Sequence, residues 1–374
     1  MSTYFDYAST TPVNDEVLNS YFKVQTDYFV NSQSIYPRGL EVNKLMEKSR
    51  EKTASLLGVS AKEVIFTSSG SEANNLAIKG AALKRREYGK HIISSNVEHS
   101  SVENSLRWLK EYFGFEVTYL PVNQNGIIEI DDLIRALRKD TILVSIMYVN
   151  NESGAIMPIE EIKKVVRRYP DCYLHCDCVQ ALGKIDIDLT NIDMASISAH
   201  KIYGVKGSGV LIKKQHVQLA EVISGGSQEY NLRGGTSNAA ANIVFSKTLR
   251  LALKAFRNNR DRIKEYHNYF IQELKKIDKV VINSPEDGCC GVVNFSCLTV
   301  TSQVMMNALA LKGFEVSATS TCDSSLAVSR VISQMFKEEN RLKGTIRVSI
   351  SYLNTLDEIK RLLKAIKECI EDYG

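Results

Sequence analysis

The chain has 374 residues, of which 24% are charged and 44% hydrophobic, and its formal net charge is +4 at pH 7. A chain of this length is expected to form two domains. The charge is too small to indicate binding to nucleic acid or to a membrane surface. No apolar run reaches the roughly 18 residues that a membrane-spanning helix needs, and the first residues lack the pattern of a signal peptide. We therefore expect a cytoplasmic protein.

The eight cysteines are expected to be free thiols, because a chain of this kind rarely relies on a disulfide framework. Cys176 and Cys178 lie next to His175. Their C-x-C spacing lacks the second ligand pair that zinc sites show. The alternation over 173–177 is typical of strand packing, so we expect no metal site there.

Short β-rich runs alternate with longer amphipathic segments, a pattern that predicts α/β units. A helix is predicted over 159–169, where Ile162, Val165 and Val166 form an apolar stripe. A long charged helix is predicted over about 242–276 and leads into a smaller α+β part. The predicted strands are, in chain order, 64–67, 91–94, 141–146, 173–177, 194–198, 209–212, 292–295 and 345–350.

Two strand ends carry a lysine and an aspartate suited to pyridoxal phosphate (PLP). Lys201 follows directly on the strand predicted over 194–198, and Asp177 ends the strand over 173–177. A protein that uses PLP must supply a lysine amine for a covalent link and an acid for the pyridinium nitrogen. This pair therefore indicates an enzyme that acts on an amino acid.

The run 67–75 follows a strand and opens a helical pattern. Its small residues would let backbone N–H groups and hydroxyls approach a phosphate at the positive end of the helix. A simple capping box, formed by Ser68 or Ser69 with Glu72, is the alternative reading of the same residues.

His99 and the run 150–152 each follow a predicted strand. An imidazole at this place could stack on a planar cofactor and move protons, although a lone histidine also serves structural roles. The run 150–152 lies at the carboxyl edge of a predicted parallel strand, where α/β sheets bind ligands. An asparagine amide there could bind a phenolic oxygen or form a turn.

Taken together, these segments resemble the fold-type I PLP enzymes of the class V aminotransferase group, and within it the NifS/IscS-like cysteine desulfurases. The resemblance extends from residues 4–12 to Arg347, and its most specific pieces are 198–204, 149–152 and the cysteine loop at 317–325. It implies an α/β fold, with a mostly parallel seven-stranded sheet in a large domain and a smaller α+β domain. The large domain would span 13–256, and the small domain 1–12 with 257–374.

The resemblance also implies roles for single residues. Lys201 would form the aldimine with PLP, Asp177 would hold the pyridine nitrogen, and His99 would stack on the ring and transfer protons. Gln180 and Asn151 would contact the phenolic oxygen or its surroundings. The phosphate would be held by Gly70, Ser71, Ser198 and His200 and, from the second subunit of a homodimer, by Thr236.

Substrate binding would involve Asn151 and Arg347. The guanidinium of Arg347 would bind the substrate carboxylate with two parallel hydrogen bonds, a geometry that suits arginine better than lysine. A solvent-facing arginine on a strand is the alternative.

Cys322 separates the possible reactions. The family resemblance implies that its thiolate attacks the sulfur of L-cysteine, so that L-alanine forms and a persulfide remains on Cys322. The sulfur would then pass to an acceptor protein for iron–sulfur cluster assembly or for thiolation of tRNA or another cofactor. If Cys322 is incidental, the chain would be a class V aminotransferase or another PLP lyase. A weakly active sulfur-relay or scaffold protein is the remaining alternative.

This chain departs from the family pattern at three places. Residues 318–321 read Ala-Thr-Ser-Thr where Ser-Gly-Ser-Ala is usual, and the missing glycine is expected to stiffen the cysteine loop. Cys178 replaces a common alanine, and 31–36 lacks the usual proline and histidine.

Overall fold

The computed structural model describes residues 2–318 and 328–374. Cys322, predicted as the sulfur-accepting thiol, lies outside the described residues. Within these ranges the twelve strands are β1 (Thr3–Tyr4), β2 (Val64–Thr67), β3 (His91–Ser95), β4 (Glu116–Leu120), β5 (Thr141–Met147), β6 (Tyr173–Asp177), β7 (Met194–Ser198), β8 (Gly209–Lys213), β9 (Val280–Ile282), β10 (Val292–Cys297), β11 (Phe314–Glu315) and β12 (Thr345–Ser349).

Helices alternate with these strands through most of the chain. The α-helices are Asp15–Asp27, Pro37–Leu57, Gly70–Arg85, Ser100–Phe113, Ile130–Ala136, Ile159–Val166, Ala239–Leu274, Ser302–Leu311, Arg330–Met335, Glu339–Lys343 and Leu356–Tyr373, and short 3₁₀ turns lie at Ala61–Glu63 and Ala199–Lys201. The segment Gln228–Asn231 is a left-handed turn, because Glu229, Tyr230 and Asn231 have φ angles of 45°, 59° and 63°.

The mostly parallel seven-stranded sheet predicted from the sequence is confirmed. Its strand order is β2-β8-β7-β6-β5-β3-β4. Strand β8 runs antiparallel to both of its neighbours, and the remaining neighbours pair in parallel. Since β3, β5, β6 and β7 run in one direction, the residues that follow them meet at one edge of the sheet.

A second, antiparallel sheet of order β12-β10-β9 belongs to the smaller part of the fold. It packs in a core that includes Phe5 and Phe295, separate from the core under the large sheet. The helix Ala239–Leu274 places Phe245 in the core of the large sheet and Phe270 in the core of the small one. This helix therefore joins the two parts, as predicted, while the domain bounds 13–256 and 1–12 with 257–374 stay a prediction.

The cysteines of the described ranges are free thiols, and all but the half-buried Cys290 are buried. No cluster of side chains in residues 2–318 and 328–374 could hold a metal ion. None of the helices in these ranges is long and apolar enough to cross a membrane.

Candidate active site

A cavity of about 290 Å³ lies at the edge of the large sheet where β5, β6 and β7 end. Ten of the residues predicted from the sequence line it: Gly70, Ser71, His99, Asn151, Asp177, Gln180, Ser198, His200, Lys201 and Arg347. A larger cavity of about 350 Å³ lies beside it and shares Ala8 and Lys201 as walls. We assign the candidate site to the smaller cavity, because the predicted residues converge there.

Lys201 ends the 3₁₀ turn that follows β7. Its Nζ donates a hydrogen bond to the carbonyl of Ala8 at 2.7 Å and another to the carbonyl of Ser9. The same N-terminal segment is held to the turn by Thr11, whose N–H and hydroxyl both donate to the carbonyl of His200. The start of the chain therefore forms one wall of the cavity beside the lysine amine.

Asp177 ends β6 and is only 5% exposed. Its Oδ1 accepts from the backbone N–H of Val179 at 2.9 Å, and its Oδ2 accepts from Nδ2 of Asn74 at 2.7 Å. These two donors fix the carboxylate at the floor of the cavity, where it could receive a positively charged N–H group.

His99 is the N-cap residue of the helix Ser100–Phe113. Its Nδ1 accepts from the backbone N–H of Ser101 at 3.1 Å, and Oγ of Ser101 lies 2.8 Å from the same nitrogen. A backbone N–H can only donate, so Nδ1 must be an acceptor and the neutral imidazole carries its proton on Nε2.

The helix Gly70–Arg85 points its N-terminus at the cavity, with Gly70 and Ser71 in the lining. A Cβ atom at Gly70 would lie 2.6 Å from the side chain of Val179, so only glycine fits this approach. Oγ of Ser198 is buried and has no hydrogen-bond partner among the described residues. Together they form a small polar recess at the positive end of a helix, which suits an anion.

The capping alternative for this segment is also present. Ser69 is the N-cap and accepts from the N–H of Glu72 at 3.1 Å, while the Glu72 carboxylate accepts from the N–H of Ser68 at 3.0 Å. Capping and anion binding use different groups, since Ser198 Oγ remains available beside Gly70.

His200 borders the same recess, and its Nδ1 lies 3.1 Å from Oγ1 of Thr10. Burial, and then the nearby charge of Lys201, lower the pKa of His200 to about 4. The imidazole is therefore neutral at pH 7 and acts as a hydrogen-bonding group rather than as a charge.

Gln180 is buried, with its Nε2 donating to the carbonyl of Ala8 at 2.8 Å and its Oε1 accepting from Nζ of Lys184. Burial lowers the pKa of Lys184 to about 8. The carbonyl of Ala8 can only accept and the ammonium form of Lys184 can only donate, so the Gln180 amide is oriented with Nε2 facing Ala8.

The two neighbouring asparagines after β5 have different roles. Oδ1 of Asn150 accepts from the N–H groups of Glu152 and Ser153, each at 2.9 Å, so Asn150 forms the turn. Asn151 lines the cavity, and its carbonyl accepts from Nη1 of Arg347 at 3.0 Å.

Arg347 lies on β12 of the small sheet and reaches the cavity of the large one. It is only 1% exposed, which excludes the solvent-facing alternative. Its Nη2 donates to Asp6 at 2.6 Å, and its Nε is buried with no hydrogen-bond partner among the described residues. The guanidinium thus retains donor capacity at the wall of the cavity.

Residues 3–362 match the family model described as aminotransferase class-V. The chain belongs to the class V aminotransferase family. A relative named cysteine desulfurase IscS, from Dictyoglomus turgidum, is 41% identical over 373 residues, which are 98% of this chain and 94% of the relative.

Two solved structures are similar to this class V family chain over nearly its whole length. A structure named NifS-like protein superposes with a TM-score of 0.94 at 31% identity and covers 100% of both chains. A structure titled SspA in complex with cysteine has a TM-score of 0.82 at 33% identity and covers 94% of this chain and 99% of that one. The resemblance to NifS/IscS-like proteins drawn from the sequence is thereby confirmed.

Within residues 2–318 and 328–374, one predicted site residue lies away from the cavity. Thr236 is exposed and is absent from the lining. Conversely, the sequence reasoning missed Asn74 and Ser101, which bind Asp177 and His99. The available signal was spacing, because Asn74 lies one helical turn after Gly70 and so shares its face of the helix.

Proposed function

We propose that this chain is a PLP-dependent cysteine desulfurase that converts L-cysteine to L-alanine. The observation that carries the proposal is the single cavity that unites Lys201, Asp177, His99 and Arg347. The relatives named cysteine desulfurase and the similar structure in complex with cysteine support the choice of substrate.

The residues of the cavity fit both the pyridine nitrogen and the phosphate of PLP. Asp177 is a buried carboxylate that could pair with a pyridinium nitrogen. At the opposite end, the orphaned hydroxyl of Ser198 and the tight approach at Gly70 form a recess for a phosphate. From this recess we assign phosphate contacts to Gly70, Ser71, Ser198 and His200. The proposed contacts of Gln180 and Asn151 with the phenolic oxygen rest on the sequence resemblance and on their place in the lining.

When bound, PLP would withdraw electrons from the Cα atom of the amino acid, which no side chain of the cavity can do alone. Lys201 would attach the cofactor through Nζ, and His99 would cover the ring and move a proton with its imidazole. Arg347 would hold the substrate carboxylate with its remaining N–H donors, beside Asn151.

Cys322 would take the sulfur, a role that rests on the sequence resemblance alone. Its thiolate attacks the substrate sulfur, so that an S–S bond forms and the C–S bond of L-cysteine breaks. The electron pair of that bond stays on the substrate carbon, which gains a proton and becomes the methyl group of L-alanine. The persulfide then passes its outer sulfur to a thiol of an acceptor protein, either an iron–sulfur scaffold or a tRNA-thiolation enzyme.

We also propose a homodimer in which Thr236 reaches the phosphate of the partner's site. Large apolar side chains are exposed along one stretch of the chain, namely Phe22 58%, Phe29 67%, Ile35 90%, Tyr36 50% and Leu40 55%. Nε2 of Gln228 donates to Gln33 at 2.6 Å, which ties this stretch to the segment that leads to Thr236. Exposed large apolar side chains so close in the sequence support an association site on this stretch. We place the reaction in the cytoplasm, where thiols such as these stay reduced.

The test measures L-alanine and sulfide released from L-cysteine in the presence of dithiothreitol, by the PLP-loaded parent and by Cys322→Ala and Cys290→Ala. Cys290 is the matched control, because it is a half-buried thiol outside the candidate site. We expect equal amounts of alanine and sulfide from the parent and from Cys290→Ala, and loss of both from Cys322→Ala.

The alternatives give different results in the same experiment. Unchanged turnover in Cys322→Ala would contradict the persulfide step. With 2-oxoglutarate added as amino acceptor, a 2-oxo acid formed from L-cysteine in place of alanine would indicate an aminotransferase. A folded parent that binds no PLP would favour a sulfur-relay or scaffold protein.

A further inference from the structure

Asn74 lies between the two side chains that the proposed function assigns to the cofactor ring. Its Nδ2 donates to Oδ2 of Asp177 at 2.7 Å and to Oγ of Ser101 at 2.9 Å. Ser101 in turn contacts Nδ1 of His99. A continuous path of hydrogen bonds therefore runs from Asp177 through Asn74 and Ser101 to His99.

The orientation of the Asn74 amide follows from its neighbours. Turning the amide over would place Oδ1 against the carboxylate of Asp177, and two acceptors in contact repel each other. Asn74 is only 1% exposed, so no solvent could relieve that repulsion. Both N–H bonds of Nδ2 are therefore in use, one toward Asp177 and one toward Ser101.

This arrangement also directs the hydroxyl of Ser101. Since Oγ accepts a hydrogen bond from Asn74, its own hydrogen is available to donate toward Nδ1 of His99, 2.8 Å away. The backbone N–H of Ser101 donates to the same nitrogen. By directing the hydroxyl of Ser101, Asn74 gives Nδ1 of His99 a second donor. This reinforces the His99 tautomer that carries its proton on Nε2.

We propose that Asn74 is a positioning residue that couples the two ring contacts of the site: it orients the Asp177 carboxylate and, through Ser101, the imidazole of His99. This role rests on the proposed function, because it concerns how the cofactor ring is held. Asn74 itself also lines the cavity, and its Oδ1 is buried without a hydrogen-bond partner among the described residues.

The chain offers a matched control in the next residue. Nδ2 of Asn75 donates to the carbonyl of Ser71 at 2.9 Å, within its own helix, and Asn75 does not line the cavity. Asn74→Asp and Asn75→Asp therefore add the same charge to the same helical turn, and only the first places it against Asp177. Asn74→Ala removes the donors without adding charge.

The experiment measures the dissociation constant of PLP and the pH midpoint of the colour change of bound PLP. We expect Asn74→Ala to bind PLP about tenfold more weakly, as loss of a hydrogen bond to a buried charge predicts. Asn74→Asp should also raise the pH midpoint, because an added negative charge favours protonated forms nearby. Asn75→Asp should have the same dissociation constant for PLP and the same pH midpoint as the parent. PLP binding and midpoint unchanged in both Asn74 variants would overturn the coupling.

A second readout uses the PLP-free protein and so separates this inference from the proposed function. Side-chain ¹⁵N signals of histidine report which ring nitrogen carries the proton. We expect His99 of the parent to be protonated on Nε2, and its Nδ1 signal to shift in Asn74→Ala and in Ser101→Ala. Protonation of Nδ1 in the parent, or signals identical in all three proteins, would overturn the inference even if PLP binds. If the parent binds no PLP while the signals shift, the proposed function fails and the coupling stands.

Discussion

The guanidinium of Arg347 and the carboxylate of Asp6 are joined at 2.6 Å, so a residue near the start of the chain is paired with a strand near its end. The side chain of Arg347 is 2% exposed and that of Asp6 is 18% exposed. Removal of one partner of a buried pair is costly, because the charge that remains is neither solvated nor compensated. Asp6 therefore balances the arginine that we assign to the substrate carboxylate.

We expect Asp6→Asn to lower the free energy of unfolding by about 3 kcal/mol, measured by denaturant titration. L-alanine should raise the melting temperature of this variant more than that of the parent, since the ligand carboxylate then supplies the missing counter-charge. Asp186→Asn is the control, because its side chain is 83% exposed and its pair with Arg260 spans 3.5 Å. Equal stability of Asp6→Asn and the parent would contradict this view of the pair.

A second buried ion pair holds the left-handed turn that precedes Thr236. The carboxylate of Glu229 accepts from Nη1 and Nη2 of Arg50 at 2.7 and 2.9 Å, and from the N–H of Phe66 at 2.8 Å. Left-handed backbone at a residue other than glycine costs about 1 kcal/mol or more, and here it occurs at three consecutive residues. The pair with Arg50 offsets this cost and fixes the turn on β2.

Glu229→Gln is therefore expected to lower the free energy of unfolding by about 3–5 kcal/mol. Glu47→Gln is the matched control, because Glu47 contacts the same arginine at 3.1 Å but is 44% exposed. An exposed pair of this kind contributes less than about 1 kcal/mol. Denaturant unfolding of both variants checks the difference, and similar values for the two would show that burial of Glu229 is unimportant.

The strands that the sequence predicted best are those whose side chains are all buried. The predicted bounds of β2, β6 and β7 match the structure, and each is an uninterrupted buried run. Strands β3, β5, β10 and β12 are also buried throughout, and their predicted bounds differ by one or two residues. The edge strand β4 was missed because its residues show no regular alternation: four are exposed or half-buried, and Leu120 is buried. The left-handed turn was missed because its cause, Arg50, lies 179 residues away in the sequence from Glu229.

The site residues also divide into those that local sequence indicates and those that depend on distant partners. Asp177 ends a strand, and Lys201 and His99 lie three and four residues beyond the end of one, so local sequence was enough to suggest them. Asn74 is recognisable only through partners that lie 103 and 27 residues away, Asp177 and Ser101. Long-range hydrogen bonds of this kind have no periodic signal in a single sequence.

The buried carboxyl group of Glu98, the neighbour of His99, is expected to make the stability of the fold depend on pH. Burial raises the pKa of Glu98 to about 8, although the hydroxyl of Ser95 and the N–H of Met147 both donate to its Oε1. Because the pKa is higher in the folded state, the folded protein binds more protons between about pH 4.5 and pH 8. The stabilisation that the protonated Glu98 contributes is complete below the pKa that Glu98 has in the unfolded state. It is lost as the pH rises through the pKa that Glu98 has in the folded state.

We expect the unfolding free energy contributed by this group to fall by up to about 1.4 kcal/mol per pH unit across that window. Glu98→Gln removes the titrating group and retains an acceptor oxygen for the same donors. The difference in unfolding free energy between parent and variant, measured from pH 4.5 to pH 8.5, should therefore move in favour of the variant as pH rises. A difference that stays constant with pH would show that Glu98 titrates normally.

The two flanks of the segment that carries Cys322 are both bound to the site. On one side, Ser317 and Arg347 exchange two backbone hydrogen bonds, of 3.1 and 2.6 Å. On the other, the hydroxyl of Ser329 donates to Glu152 at 2.5 Å. Arg330 donates to the backbone carbonyl next to His99, that of Glu98, and pairs with Glu103 at 3.0 Å. Arg330 is therefore expected to set where the returning chain meets the His99 turn.

We predict that Arg330→Ala slows alanine formation in a single turnover by about 10- to 100-fold, because a displacement of about 1 Å between reacting groups can have this effect. PLP affinity should change less than threefold, since Arg330 does not line the cavity. Arg330→Lys retains the positive charge toward Glu103 but loses the several N–H donors of the guanidinium. Its rate should therefore lie between those of the parent and Arg330→Ala. Lys337→Ala serves as the control, because Lys337 is exposed and its Nζ donates to the carbonyl of Ser333 in the same segment. If Arg330→Ala loses PLP affinity and rate to the same extent, Arg330 supports only the His99 turn. An unchanged rate would show that Arg330 has no part in sulfur transfer.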